Sequence, residues 1–124
     1  MLPKQIELDF GQVTIHENIL IAKLNEGVLF DVENNKKLLD LGKEIFKEEN
    51  YGYISHRVNS YAVDPIVYFE SANTKNLRAI AVVSENEMTL RNADQVERKF
   101  YKGSNSFEVF RTLEEAVDWI KTKI

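Results

Sequence analysis

The order of apolar patterns along the chain predicts an α/β fold: a mixed, mostly parallel sheet with an N-terminal antiparallel meander and about four helices packed on it. Three observations predict it. Residues 4–24 alternate apolar and polar positions in short runs, the period of strands with one wet face. Beyond Asp31, helical spacings alternate with short apolar runs, as they do in sheets built from strand–helix units. The run Leu77–Val83, LRAIAVV, is apolar at every position but Arg78, as a strand covered on both faces requires.

Within the meander, Ile6, Leu8 and Phe10 alternate with Gln5, Glu7 and Asp9, Gly11 interrupts, and Gln12–Ile15 alternates again. His16-Glu17-Asn18 reads as a turn and Ile19–Ala22 as a more buried strand. Asn25-Glu26-Gly27 breaks the pattern. From about Asp31 the residues Leu38, Leu41, Gly42 and Ile45 fall at core-facing helical spacing, with Asp31 and Glu33 placed to meet the positive end of the helix dipole. Asn50-Tyr51-Gly52 reads as the helix stop, because Asn and Gly tolerate the left-handed conformation, and a strand is expected from Tyr53 to Val58.

Asp64-Pro65 reads as the N-cap and first-turn pair of a short second helix carrying Ile66, Val67 and Phe69. After the central strand, Ser84-Glu85-Asn86 is suited to cap a third helix. Thr89, Ala93, Val96 and Phe100 would share its inner face, and Gly103 would lie just past its end. Ser106–Phe110 supplies the last strand. Thr112-Leu113-Glu114-Glu115 is a capping box, and Leu113, Ala116, Val117, Ile120 and Ile124 follow at helical spacing with Trp119 on the flank.

Composition bounds the function. The 124 residues fit one domain, 1–124, and a hydrophobic content of 44% with 29% charged residues is that of an ordinary globular protein. The net charge of −4 and the scattering of Lys and Arg argue against a surface that tracks nucleic-acid phosphates. There is no cysteine, which removes disulfide and thiolate chemistry. Apolar runs are far shorter than the roughly 20 residues of a membrane span, and the N-terminus lacks the apolar region of a signal peptide, so a cytoplasmic location is expected.

Ligands of open α/β sheets bind beyond the carboxyl ends of the parallel strands, where loops lead into helix N-termini. That rule selects Asn59, Ser60, Tyr61 and Asp64 in one turn, Ser84 and Asn86 in the next, and Arg111 in the last. Asp64, Ser84 and Thr112 also serve as plain helix caps. Ser60 is the candidate for phosphorylation, which would add a charge of about −2 at the turn. His16 and His56 have no metal-ligand spacing around them, and no Gly-x-Ser-x-Gly elbow, P-loop or Gly-x-Gly-x-x-Gly is present, so neither catalytic residue, metal nor cofactor is expected.

The order of elements, the segment Ile54–Pro65 (ISHRVNSYAVDP) and the ending Phe107–Ile120 (FEVFRTLEEAVDWI) resemble the SpoIIAA-like, or STAS/SEC14-type, domains of bacteria over nearly the whole chain. In the anti-sigma-factor antagonists of that family, a serine in an Asp-Ser-Ser-Gly-type loop before the second helix is phosphorylated by a partner kinase, which releases the partner. Ser60 is the matching residue here, without the neighbouring Ser and Gly. The resemblance implies a non-enzymatic regulatory module with a protein partner. The alternative is a domain binding a small anionic or, as the SEC14 side implies, lipid-like ligand; an enzyme without recognised motifs ranks third. An edge strand of the meander offers a route to a homodimer.

Overall fold

Strand alternation and tight turns build the meander as the spacing predicts. The computed structural model describes residues 4–101 and 106–124. Strands β1 (Lys4–Leu8), β2 (Gly11–His16) and β3 (Ile19–Leu24) pair antiparallel, with Ile6 opposite Val13 and Val13 opposite Ala22. Glu17, at φ 52°, makes the two-residue turn into β3. Gly11 starts β2 because the chain passes close to its neighbour there: a Cβ would lie 2.8 Å from the Leu24 Cα.

Three parallel strands extend this sheet. They are β5 (Tyr51–His56), β7 (Leu77–Val83) and β8 (Phe107–Phe110), giving the order β1-β2-β3-β5-β7-β8. Helix α1 (Val32–Phe46) connects β3 to β5, α2 (Val67–Ala72) connects β5 to β7, and a longer helical rod connects β7 to β8. That rod consists of α3 (Glu87–Asn92), a π-turn (Ala93–Glu97) and α4 (Arg98–Phe100). Helix α5 (Leu113–Lys121) follows β8.

The helices divide between the two faces. On one, Leu38 and Phe46 of α1, Val67 and Tyr68 of α2 and Ala93 of the π-turn bury against Tyr51, Tyr53, Ile80 and Val82. On the other, Ala116 and Ile120 of α5 bury against Ile19, Ile54, Ala79, Ala81 and Val83. Gly52 lets α5 come close, because a Cβ there would collide with the Ile120 side chain. The central strand is therefore covered on both sides, as its sequence requires.

Several boundaries differ from those expected. Helix α1 stops at Phe46, where Lys47 takes φ 57° and its N–H bonds the Lys43 carbonyl. Tyr51 and Gly52 belong to β5, not to a helix stop: Gly52 N–H reaches the Asn18 carbonyl at 3.0 Å and Tyr51 stacks on Phe46 with ring centroids 4.6 Å apart. A second, two-stranded sheet was not foreseen; β4 (Leu29–Phe30) pairs parallel with β6 (Ala62–Val63). Extension through β6 delays α2 to Val67, so Asp64 caps a turn just ahead of the helix by accepting the Ile66 N–H at 3.2 Å.

The helix caps that the sequence marks are present at three places. Asp31 accepts the Asn34 N–H at 2.9 Å, Asn86 accepts the Thr89 N–H at 3.0 Å, and Thr112 accepts the Glu115 N–H at 3.2 Å. Glu115 answers by accepting from the Thr112 hydroxyl instead of its backbone N–H. The expected stop at Gly103 lies outside the described residues. Among the described residues no helix is long and apolar enough to cross a membrane.

Candidate functional site

Alternate residues of β5 point to the same side of the sheet, so Tyr51, Tyr53, Ser55 and Arg57 form one row on the α1 and α2 face. The row turns from apolar to charged as it reaches the carboxyl edge. Arg57, just past the strand, is held against β7 by its N–H on the Val83 carbonyl at 2.8 Å. Its side chain is only 7% exposed, and that of Glu97, which it meets, is 1% exposed. A charge so deeply buried needs both a counter-charge and hydrogen bonds.

Arg57 has both. Nη1 donates to Glu97 Oε2 at 2.8 Å and Nη2 to Oε1 at 2.5 Å, a bidentate pair. Nε donates to Ser55 Oγ at 3.0 Å, and Nη2 also donates to Tyr68 Oη at 3.2 Å. Tyr68 Oη in turn donates to Glu97 Oε1 at 2.6 Å, and Asn92 Nδ2 donates to Oε2 at 3.4 Å. Ser55 Oγ and Tyr61 Oη share a hydrogen bond of 3.0 Å. Four of the five guanidinium N–H groups thus have protein acceptors, and one on Nη1 has none among the described residues.

The pKa shifts follow from this packing. Burial works against the charge of Arg57, yet its hydrogen bonds with Glu97, aided by the neighbouring charges, hold it well above the ordinary value. Burial, and then the Glu97 charge, push Tyr68 well above the ordinary phenol range. Burial likewise raises Tyr61 against the opposing pull of Arg57. Both hydroxyls stay protonated and serve as hydrogen-bonding groups. Arg57 and Glu97 neutralise each other.

Glu97 arrives by way of the π-turn. Simple helical spacing places Val96 inward, but in the structure Val96 is 41% exposed and the inner row runs Leu90, Ala93, Glu97. A π-turn accommodates one extra residue in a helix and is frequent at functional sites. Here it aims a carboxylate at the end of β5.

Above this network lies a cleft of about 470 Å³ between the 57–63 segment and the helical rod. Asn59, Ser60, Tyr61, Ser84 and Asn86 all line it, so the sheet-edge rule assembles most of the expected residues in one place. Asn59 Nδ2 fastens the loop to the Leu24 carbonyl at 3.0 Å, and Ser60 is exposed. Ser84 is 4% exposed and accepts the Asn86 N–H at 3.0 Å. Arg111 lies elsewhere: it pairs with Glu87 at the surface and borders a neighbouring cleft of about 580 Å³ on the α5 side, with His56, Ser84 and Thr112. Asp64 lines neither cleft and is a turn cap.

Arg57, Glu97, Tyr68 and Ser55 were not among the expected site residues. His56-Arg57 reads in sequence as an exposed sheet face or a satisfied core histidine; Arg57 is instead the centre of a buried network. The available signal was the inner stripe of the third helix, where Leu90 and Ala93 lead at i+3 and i+7 to an acid, Glu97, that needs a buried cation. Among the described residues no group of three His, Asp or Glu side chains is placed to hold a metal ion. No family model, curated protein or solved structure matches the chain.

Proposed function

We propose that the protein is a non-enzymatic binding and regulatory module of STAS-like fold, working in the cytoplasm, whose partner docks at the carboxyl edge of the parallel strands. One observation carries the reading: Ser60 stands exposed on the rim of the cleft, while the Arg57 and Glu97 side chains in its floor are engaged with each other. Exposure at the rim supports reading Ser60 as accessible to a partner and to a kinase. Strand β6 separates Ser60 from α2, so a phosphate there would act on the cleft rather than on the dipole of α2. Repulsion and desolvation of two added negative charges, about −2 in total, would disfavour a docked partner.

The test is recovery of tagged protein from its native cytoplasm with intact-mass measurement of the bait, followed by binding of the recovered partner to Ser60→Asp and Ser60→Ala. Loss of binding with Asp alone, at an unchanged melting temperature, supports a phospho-switch. Equal binding by the two variants removes it.

The cleft volume, about 470 Å³, also falls in the size range of metabolite sites and favours a second reading as a small-ligand domain. A thermal-shift screen of small anions and apolar compounds separates the two. A ligand that stabilises the protein and is lost with Asn86→Ala would support this alternative.

A further inference from the structure

Among the described residues, β6 has a strand paired to one of its edges only, and its residues line the cleft. On the paired edge, the Ser60 carbonyl accepts the Gly27 N–H at 2.8 Å, and the N–H groups of Ala62 and Asp64 donate to the carbonyls of Val28 and Phe30, each at 3.0 Å. Backbone groups of a strand point alternately to its two edges, so those of Tyr61 and Val63 point away from β4. The two-stranded sheet ends at β6, and Tyr61, Ala62 and Val63 line the cleft. Across it stand Met88, Thr89 and Asn92 of the helical rod.

A strand edge facing a helix across a groove has the form in which extended peptides are captured: main-chain hydrogen bonds supply affinity, and side-chain pockets supply selectivity. We propose that this groove binds an extended peptide segment of a partner protein, which adds to β6 as a third strand. The proposal rests on the reading of the carboxyl edge as the docking surface and names what docks there.

The lining specifies the segment. Arg57 and Glu97 cancel each other, and the rest of the lining is uncharged, so the groove-facing side chains of the peptide are uncharged. Val58 and Met88, 60% and 78% exposed, form apolar lips on opposite walls, suited to grip one aliphatic or aromatic side chain. The remaining Nη1 N–H of Arg57 offers a donor to a peptide carbonyl at the floor. Such an edge also accounts for the tethering of the loop by Asn59, which holds the strand in its extended form without covering its free side.

A phage-displayed library of random peptides, selected on the intact protein, tests the proposal, with backbone amide exchange of the complex as the readout. The expected result is an uncharged, β-prone consensus and new protection at the Tyr61 and Val63 amides. Replacing the peptide amide paired with this edge by an ester should weaken binding roughly 3- to 10-fold, the loss expected for one hydrogen bond. Met88→Asp should weaken it further without lowering the melting temperature. Selection of no peptide, or of peptides that bind without protecting Tyr61 and Val63, would overturn the proposal. A native partner that binds at this edge but leaves those two amides unprotected would overturn strand addition while sparing the docking surface; a partner that ignores the edge altogether would remove both.

Discussion

The two faces of the sheet solve the problem of burial in opposite ways. The α5 face is dry, made of Ile19, Ile54, Ala79, Ala81 and Val83 under a single helix, and small side chains let that helix approach closely. The opposite face carries α1, α2 and the helical rod over tyrosines, and at its carboxyl end it buries Arg57 and Glu97. One side is closely packed and apolar, and the polar end of the other lines the cleft where docking is proposed. A buried ion pair is weak evidence of stability, since apolar residues of similar size often do as well.

The contrast can be broken most severely on the dry face. Ala81→Asp puts an unpaired charge among aliphatic side chains, and the expected outcome is loss of the cooperative melting transition by circular dichroism. On the polar face, Glu97→Ala strands the Arg57 charge and should cost about 3–5 kcal/mol in denaturant unfolding. The double substitution Arg57→Met with Glu97→Leu should recover most of that stability while altering the cleft. If the double variant were as unstable as the single one, the pair would have to stabilise the fold outright.

Smaller effects sharpen the same comparison. Gly52→Ala should destabilise by about 1–3 kcal/mol in denaturant unfolding, because the added methyl collides with the Ile120 Cγ2 methyl. The smallest effect is a pH dependence at His56, on the α5 side of the edge. Burial, with Lys23 adding to it and Glu85 opposing it, lowers its pKa from the ordinary 6.5. The unfolded chain therefore binds its proton first on acidification, so stability should fall as the pH drops from above 6.5 towards the folded-state pKa. In His56→Gln that part of the slope should vanish in melting curves taken across the window.

Local chemistry made much of the fold legible. Asp31, Asn86 and Thr112 announce helix starts because a cap is satisfied by residues three positions away, and Leu77–Val83 announces a two-sided strand by composition alone. The misses are of another kind. Strands β4 and β6 have two residues each, too few to show a period, and Lys47 ends α1 in a conformation that lysine seldom adopts. At the site, the edge rule found the rim, whereas the floor joins residues 40 positions apart through a π-turn that shifts the helical phase. Helical spacing from Leu90 and Ala93 marks Glu97 as an inward acid, but nothing local names Arg57 as its partner.

The π-turn has a genealogical consequence. Such a turn is what a single-codon insertion leaves in an α-helix, and each residue of an α-helix turns the chain by about 100°. An ancestor or cousin without the extra residue would carry the position of Glu97 roughly a quarter-turn off the floor, with no counter-charge for an arginine at position 57. Insertion and arginine should therefore be inherited together. In any alignment of distant kin, a gap in the third helix accompanied by loss of the arginine would divide lineages that keep the charged floor from those that never acquired it.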